Sequence, residues 1–435
     1  MKKVIIILAV YLLFNTCSIL FLDKQKHPRG ENPYDPMTVD NANNEPDGTW
    51  VFMVYLDAAN NLESAGVDDL LEMTKVDFTA YAGKSIKIIV LMDRIDGYST
   101  AEGDWKGTKL YEISTSGNLI EKTGVTINGK TPDGTTAQDL NMGDPKTLQD
   151  FIEYVINNYS ADYYLLDIWN HGGGWRDTTT TSTDIRKAIA WDEDDSANVD
   201  TLYMHEVQTA IKTALQNTGH DKLDIIYMDA CLMQMVEVAY ELRDVTKYLV
   251  ASEETVPGNG GDYTDILTRY KEMDIHSPYL FSRLIVESYR AQYYATSDTT
   301  LSAIQISKLS ALMNALDIFA DDLITQPGST IENIRSDTKD FAYPDQADLY
   351  NFAELCNDRI SGISGAKEVM EAINNLMVKE YHQGTSMADC HGIAIYFPRT
   401  PDKVDSGYWI QATPYDIEFD DNSKWKDFIQ WYKNQ

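Results

Sequence analysis

Short apolar runs alternate with segments of helical period from Trp50 to about residue 273, and this alternation is typical of strands joined by crossover helices. Several of the runs are apolar nearly throughout, as expected for parallel strands that are buried on both faces. The predicted strands are residues 51–56, 86–92, 108–113, 163–169, 223–228 and 248–252. The pattern therefore predicts an α/β fold with a mostly parallel sheet flanked by helices.

Helix signals lie between these strands. Asp144 and Pro145 supply an N-cap and a first-turn proline, and apolar residues then repeat at helical spacing as far as Tyr159. A second helix is predicted over residues 204–215, and a third begins directly after Cys231. Beyond residue 274 long helices are predicted over 277–296 and 307–324, with one late strand over 392–397. We therefore expect a core over 48–273 and a largely helical C-terminal subdomain over 274–435.

The N-terminus has the order of a signal peptide. Lys2 and Lys3 precede an apolar run over 4–14, and Cys17 stands where bacterial lipoproteins carry their lipid. Since residues 18–22 continue the apolar run, an uncleaved anchor helix and ordinary cleavage stay open as alternatives. We expect residues 1–22 to direct export to the cell surface, to the outer membrane or out of the cell, and residues 23–47 to form a flexible tether.

The formal net charge of −32 limits the partners of this chain. Nucleic-acid phosphate needs a basic surface, so the charge argues against a nucleic-acid partner. It favours cationic partners, or it keeps an exported protein in solution. We expect a monomer that contacts a membrane only through an N-terminal lipid or anchor.

Two predicted strand ends carry candidate chemistry, because reactive groups of parallel sheets sit where strands end. The first strand runs into His171 and three glycines, and glycine lets a backbone amide approach a substrate oxygen closely. The second strand runs into Cys231, where the start of the predicted helix would lower the pKa of the thiol. If the two ends lie side by side, His171 faces Cys231, and the amides of Gly172 and Cys231 can bind an oxyanion. Asp229 would lie on the same side as Cys231.

Each residue also has a plain structural interpretation. Cys231 could be a small buried side chain, and His171 could be a turn residue. Asp229 could cap the following helix or accept hydrogen bonds from turn amides. Cys356 and Cys390 could be bridged or simply buried.

At these residues the chain strongly resembles the clostripain family of cysteine peptidases. The matching segments are MVYLDAANNLE at 53–63, WNHGGGW at 169–175, MDACLMQMVEVAYEL at 228–242, ASEETVPGNGGDY at 251–263 and GIAIYFP at 392–398. They span most of the chain in order, so together they are far more specific than either strand end alone.

The resemblance implies a caspase-like fold and a His171/Cys231 dyad without an essential third member. It also implies endopeptidase cleavage of peptides and proteins after Arg or, less readily, Lys. Asp229 matches the acidic position of the family's substrate pocket, and Asp262 or Glu254 could line the pocket as well. No cofactor is required on this resemblance.

Members of the family resemble zymogens that cut themselves between the histidine and the cysteine. In this chain Arg186 and Lys187 lie in the most loop-like part of that segment, so we expect processing there. Some members use calcium, and the run over 192–195 has hard oxygen ligands for it. Because the EF-hand pattern is absent, solvated loop acid is the plainer interpretation, and no metal ligand is assigned.

Two other functions compete with the peptidase. The HGGGW segment also resembles the oxyanion motif of esterases, but that class needs a G-x-S-x-G elbow, which the sequence lacks. A non-enzymatic surface binding protein on a peptidase fold is the other alternative, because a fold does not secure an activity.

Overall fold

The computed structural model describes residues 45–175, 189–194, 199–294, 298–409 and 417–435. Its strands are β1 (Trp50–Ala58), β2 (Ile86–Arg94), β3 (Gly107–Ile113), β4 (Leu119–Glu121), β5 (Tyr163–Trp169), β6 (Ile189–Asp192), β7 (Asp200–Leu202), β8 (Leu223–Asp229), β9 (Thr246–Ala251), β10 (Thr299–Gln305), β11 (Gln346–Asp348), β12 (Met377–Gln383) and β13 (Ala394–Tyr396).

The α-helices flank the main sheet. They are α1 (Glu63–Met73), α2 (Pro145–Asn158), α3 (Met204–Thr218), α4 (Val236–Glu241), α5 (Tyr263–Glu272), α6 (Pro278–Tyr293), α7 (Leu309–Ile324), α8 (Gly328–Asp337), α9 (Leu349–Arg359), α10 (Ser364–Leu376), α11 (Glu418–Asp421) and α12 (Trp425–Lys433). Short 3-10 turns lie at Ala101–Gly103, Thr136–Gln138, Leu242–Asp244, Ile306–Lys308, Thr385–Met387, Pro401–Lys403 and Ser406–Trp409.

The main sheet has nine strands in the order β12-β10-β9-β8-β5-β1-β2-β3-β4. The five central strands from β9 to β2 are parallel, and the pairs outside them are antiparallel. Every residue of β1, β5 and β8 is buried, as expected of strands covered on both faces. From β1 the chain first adds strands on one side of the sheet, β2 to β4, and then on the other side, beginning with β5. Ligands of open α/β sheets bind at the carboxyl ends of the strands beside such a switch in direction.

The six strands predicted from the apolar runs are all present. Each observed strand lies within about two residues of its prediction, and β5 has the predicted bounds. The helix predicted from Asp144 and Pro145 is α2, and the Asp144 carboxylate accepts a hydrogen bond from the amide of Lys146 at 2.8 Å. The mostly parallel sheet flanked by helices is therefore confirmed.

The prediction of one late strand in the C-terminal part is incomplete. Besides β13, the strands β10 and β12 lie in this part and extend the main sheet beyond β9. Buried apolar residues from both sides of residue 273 form one continuous core cluster. The boundary at 273 stays a prediction, but the sheet runs across it.

Within the described part of the chain, no helix has both the length and the apolar character needed to cross a bilayer. Cys17 and the predicted signal or anchor over 1–22 lie outside the described residues.

Candidate active site

The ends of β5 and β8 lie side by side, as the sequence predicts. The two strands are parallel neighbours in which Trp169 pairs with Asp229. One residue further on, the backbone N–H of Asn170 donates a hydrogen bond to the backbone carbonyl of Asp229 at 3.4 Å. A Cβ atom on Gly172 would lie 2.3 Å from the carbonyl oxygen of Cys231, so only glycine allows this approach. The segments that carry His171 and Cys231 therefore contact each other directly.

Cys231 lies on a turn, and the prediction that a helix begins directly after it is wrong. Helix α4 begins only at Val236, because Leu232 adopts a left-handed backbone with φ 66°. The chain then pairs with the segment that follows β9, where the Leu232 amide donates to the Glu254 carbonyl at 3.1 Å. In place of a helix N-terminus, the amide of Val256 donates to the Cys231 sulfur at 3.3 Å.

His171 is enclosed on two sides. Its Nε2 lies 2.7 Å from Oδ1 of Asn61, and its ring packs on the indole of Trp191 with centroids 5.1 Å apart. With the amide oxygen as acceptor, Nε2 carries the proton and Nδ1 is left as the base. Burial lowers the pKa of His171 to about 4, so the imidazole is neutral at pH 7.

Two buried asparagines hold the surroundings of His171. The Nδ2 of Asn170 donates to the carbonyl of Asp57 at 2.8 Å and to that of Trp191 at 3.2 Å. The Nδ2 of Asn60 also reaches the Trp191 carbonyl, at 3.0 Å. The end of β1, the end of β5 and the β6 hairpin are therefore fixed to one another around the imidazole.

Asp229 is a buried acid beside the cysteine. Its Oδ2 accepts the amide of Gly261 at 2.7 Å and lies 3.1 Å from the hydroxyl of Tyr263. A Cβ atom on Gly260 would lie 2.6 Å from the same oxygen, so glycine lets the loop close over the carboxylate. Asp229 and Cys231 line one cleft, together with Leu62, Trp169, Asn170, Ala230, Val256, Pro257, Gly258 and Gly260.

A second acid, Asp167, lies next to Asp229. Its Oδ2 accepts from the Tyr263 hydroxyl at 2.6 Å, so one hydroxyl contacts both carboxyl groups. Burial and the charge of Asp229 raise the pKa of Asp167 well above its usual range. The site therefore disfavours ionisation of Asp167 and Asp229 together.

The other predicted site residues have different surroundings. Asp262 caps α5, because its Oδ1 accepts from the Asp265 amide at 2.9 Å, and its place in the substrate pocket stays a prediction. The Glu254 carboxylate is buried and accepts from the amides of Thr255 and Ala342. Arg186 and Lys187 lie outside the described residues.

The two cysteines of the C-terminal part are not bridged to each other. Cys356 and Cys390 are both free thiols and both buried. Of the two interpretations that the sequence leaves open, the buried one is confirmed.

The acidic run over 192–195 is not simply a solvated loop. Asp192 is buried and accepts from the Met142 amide at 2.8 Å, so that interpretation is wrong for this residue. Carboxylate oxygens of Asp192, Asp194 and Asp93 lie within 4.8 Å of one another. Asp195 lies outside the described residues.

Sequence reasoning missed four residues of this site: Asn61, Asp167, Trp191 and Val256. Asn61, Asp167 and Val256 fall inside the conspicuous segments at 53–63, 163–175 and 251–263, so they could have been considered. Trp191 carried no local signal, because its contact with His171 joins positions that are distant along the chain.

Comparison with known proteins gives a consistent result. The family model described as the Clostripain family matches residues 54–432. Clostripain of Hathewaya histolytica is 28% identical over an alignment of 421 positions, which covers 83% of this chain and 77% of the relative.

Solved structures agree in fold. A secreted C11 cysteine protease from Bacteroides thetaiotaomicron, in complex with an irreversible peptide inhibitor, matches with a TM-score of 0.63 and 20% identity, covering 87% of this chain and 99% of that one. An inactive zymogen C11 protease from Parabacteroides distasonis matches with a TM-score of 0.57 and 16% identity, covering 89% and 99%. The family match favours the peptidase over the esterase and the binding protein. The chain belongs to the clostripain family and is a cysteine endopeptidase of the clostripain type.

Proposed function

We propose that this endopeptidase cleaves after Arg, and less readily after Lys, with Cys231 as nucleophile and His171 as its acid and base. The observation that carries the proposal is the shared cleft, in which the buried carboxylate of Asp229 lies two residues from Cys231. A substrate residue whose side chain reaches this carboxylate would have its backbone carbonyl near the sulfur of Cys231.

The charge of the cleft supports a basic side chain. Because burial and Asp229 disfavour the ionised form of Asp167, a negative charge of the pair is better placed on Asp229, whose Oδ2 accepts from the Gly261 amide. A guanidinium or ammonium group entering the cleft gains a charge-assisted hydrogen bond in a site of low dielectric constant. An uncharged side chain of similar length gains no such bond.

The chemistry follows from the residues around Cys231. Neutral His171 accepts the thiol proton, and the sulfur attacks the carbonyl carbon of the residue before the cut. The amides of Gly172 and Cys231 bind the oxyanion. The peptide C–N bond then breaks as His171 returns the proton to the leaving amine. A water molecule, deprotonated by His171, hydrolyses the acyl-enzyme and restores the thiol.

We further propose that the enzyme is exported, that Cys17 carries a lipid, and that the chain acts as a monomer. The secreted description of the Bacteroides thetaiotaomicron structure supports export. Processing at Arg186 or Lys187 fits the same specificity, since both are basic residues between His171 and Cys231. The zymogen description of the Parabacteroides distasonis structure supports this step.

A panel of fluorogenic peptides tests the specificity. The peptides differ only before the cut, carrying Arg, Lys or citrulline, which has nearly the shape of Arg without its charge. We expect Cys231→Ala to be inactive on all of them. Removing one partner of a buried charge pair costs about 2–5 kcal/mol, so Asp229→Asn should lower kcat/KM for Arg by roughly 30-fold or more.

Matched controls separate the pocket from general damage. Asp229→Asn should leave cleavage after citrulline and alkylation of Cys231 near wild type. Asp262→Asn, which changes a helix cap, should keep the Arg preference. An unchanged Arg-to-citrulline ratio in Asp229→Asn would move the assignment to Asp262 or Glu254. Mass spectrometry of the wild type and Cys231→Ala tests processing, and an intact, fully active wild-type chain would contradict it.

A further inference from the structure

A single hydroxyl group joins Asp167 to Asp229. The Tyr263 oxygen lies 2.6 Å from Oδ2 of Asp167 and 3.1 Å from Oδ2 of Asp229. A hydroxyl group has one proton to donate, so it cannot give a full hydrogen bond to two ionised carboxylates. Both contacts are satisfied if Asp167 is protonated and donates to the Tyr263 oxygen while the Tyr263 hydroxyl donates to Asp229. The geometry therefore favours one proton held between the two acids.

The surroundings of the two acids favour this proton on Asp167. Asp167 is fully buried, and within the described residues its Oδ1 has no hydrogen-bond partner. Asp229 lines the cleft, and its Oδ2 also accepts from the Gly261 amide at 2.7 Å. Burial destabilises an ionised carboxylate unless hydrogen-bond donors compensate it. The negative charge is therefore better placed on Asp229, and the proton on Asp167.

Acids and tyrosines from several elements lie around the pair. They are Asp69 and Glu72 on α1, Tyr227 on β8, Asp262 and Tyr263 at the start of α5, and Tyr289 and Tyr293 on α6. Burial raises the pKa values of the four tyrosines well above their usual range, so these side chains stay neutral. Cys231 lines the same cleft, and His171 is neutral at pH 7. The nearby acids can only oppose the ionisation of Asp167.

We propose that Asp167 is a second acid of the specificity pocket, and that it releases its proton when a basic side chain of the substrate binds beside Asp229. This role rests on the specificity proposed above. The bound cation offsets the charge of Asp229, so the repulsion that keeps the proton on Asp167 falls. Asp167 passes its proton to the Tyr263 oxygen as the Tyr263 hydroxyl proton moves to Asp229, which gives it to water in the cleft. Asp167 ends as a carboxylate, and Tyr263 and Asp229 return to their starting forms.

The released proton couples substrate binding to pH. Because a bound cation favours the ionised form of Asp167, binding of an Arg side chain must strengthen as pH rises through the pKa of the pair. The pocket then carries two negative charges beside the guanidinium group, whereas it carries one in the free enzyme. Citrulline has no charge and leaves the proton in place. One proton changes the ratio of Arg to citrulline affinity by at most about tenfold per pH unit.

Calorimetry counts the protons released on binding. Full-length Cys231→Ala is titrated with uncleaved Arg and citrulline peptides, in buffers of different ionisation heat, from about pH 6 to 9. The two peptides share one backbone, so proton exchange at groups that respond to the backbone cancels in the difference between them. We expect the Arg peptide to release up to about one proton more than the citrulline peptide.

Two isosteric variants assign the proton, and melting curves check that both are folded. In Asp167→Asn the excess proton release should vanish, because the amide does not titrate. Asp224→Asn is the matched control, since Asp224 is a buried acid near the other end of β8 that contacts the Tyr164 amide and Lys247. It should keep the excess release. Tighter binding of the Arg peptide without excess proton release, or an excess that persists in Asp167→Asn, overturns the role of Asp167 and leaves the specificity standing. Equal affinity of the parent for the two peptides contradicts the specificity itself.

The active enzyme gives an independent kinetic test. The ratio of kcat/KM for the Arg peptide to that for the citrulline peptide should rise with pH in wild type and in Asp224→Asn, and should stay flat in Asp167→Asn. The change should be carried by KM rather than by kcat, because Asp167 acts on binding and not on the reacting atoms. A purely structural Asp167 would instead lower kcat/KM for both peptides at every pH and leave the slope of the ratio unchanged. That result would refute the proton release.

Discussion

The contact between Asn61 and His171 makes a sharp prediction about catalysis. The family resemblance implies a dyad without an essential third member, yet Asn61 Oδ1 lies 2.7 Å from His171 Nε2. We expect Asn61→Ala to lower kcat/KM without removing activity. The imidazole would lose the bond that fixes its proton on Nε2, while the Trp191 packing would still limit its rotation.

The magnitude follows from a single hydrogen bond. A neutral hydrogen bond contributes about 0.5–1.5 kcal/mol, and each 1.4 kcal/mol corresponds to about a factor of ten in rate. Asn61→Ala should therefore reduce kcat/KM by roughly 2- to 12-fold. His171→Ala removes the acid and base itself, for which the expected loss is about 10²- to 10⁴-fold.

The assay combines peptide kinetics with a titration. The kcat/KM values of Asn61→Ala, His171→Ala and wild type are compared on one Arg peptide. As a second variant, Asn61→Asp keeps the acceptor and adds a charge, so it should raise the pKa of His171 above the value of about 4 that burial gives it. Nuclear magnetic resonance of the histidine ring measures that shift. Equal activity of Asn61→Ala and wild type, or a loss as large as that of His171→Ala, would refute the orienting role.

Three further predictions use other contacts of the fold. Gly172→Ala would place a Cβ atom 2.3 Å from the Cys231 carbonyl, so it should lower both Tm and kcat/KM, the latter at least tenfold. Asp167→Asn should change the free energy of unfolding at pH 7 by less than about 1 kcal/mol, because burial and the charge of Asp229 already disfavour the ionised carboxylate, whereas Asp167→Ala should cost about 2–4 kcal/mol in urea titrations. Burial raises the pKa of Glu237 to about 7, so the folded state binds the proton more tightly and stability falls as pH rises from about 4.5 to 7. Glu237→Gln should remove this pH-dependent loss in the free energy of unfolding, which is about 3 kcal/mol, and should be the more stable form at pH 8. The same change with pH in the free energy of unfolding by urea for both proteins would contradict this.

The strands that are predicted well from the sequence are those whose buried positions are nearly all apolar residues. β1, β5 and β8 are buried at every position and read as apolar runs. β10 is nearly as buried, but some of its buried positions are hydroxyl residues, so it does not read as an apolar run. One of them, Thr300, forms a hydrogen bond with the Ser252 hydroxyl at 2.9 Å. β12 lies at the edge of the sheet and is only half-buried, so its pattern is weak.

The cysteine turn shows where local pattern fails. The segment after Cys231 has apolar residues at helical spacing, which predicts a helix from the first residue. The left-handed backbone of Leu232 and the pairing of this segment with residues after β9 delay the helix to Val236. Such pairing is a tertiary effect. The left-handed conformation at Leu232 lies next to Cys231, the proposed nucleophile, and backbone strain is commonly kept at functional sites.

Part of the negative charge of this chain is buried at the carboxyl edge of the sheet. There two pairs of carboxyl groups lie on neighbouring strands, Asp57 with Asp93 and Asp167 with Asp229. In the second pair, Asp229 Oδ2 accepts from the Gly261 amide and lies beside the Tyr263 hydroxyl, and Asp229 lines the cleft that also holds Cys231. Asp57 and Asp93 are fully buried, and within the described residues the Oδ2 of each has no hydrogen-bond partner. Repulsion between buried carboxylates disfavours ionising both members of a pair, and at the second pair the proposed basic side chain of a substrate would offset that repulsion.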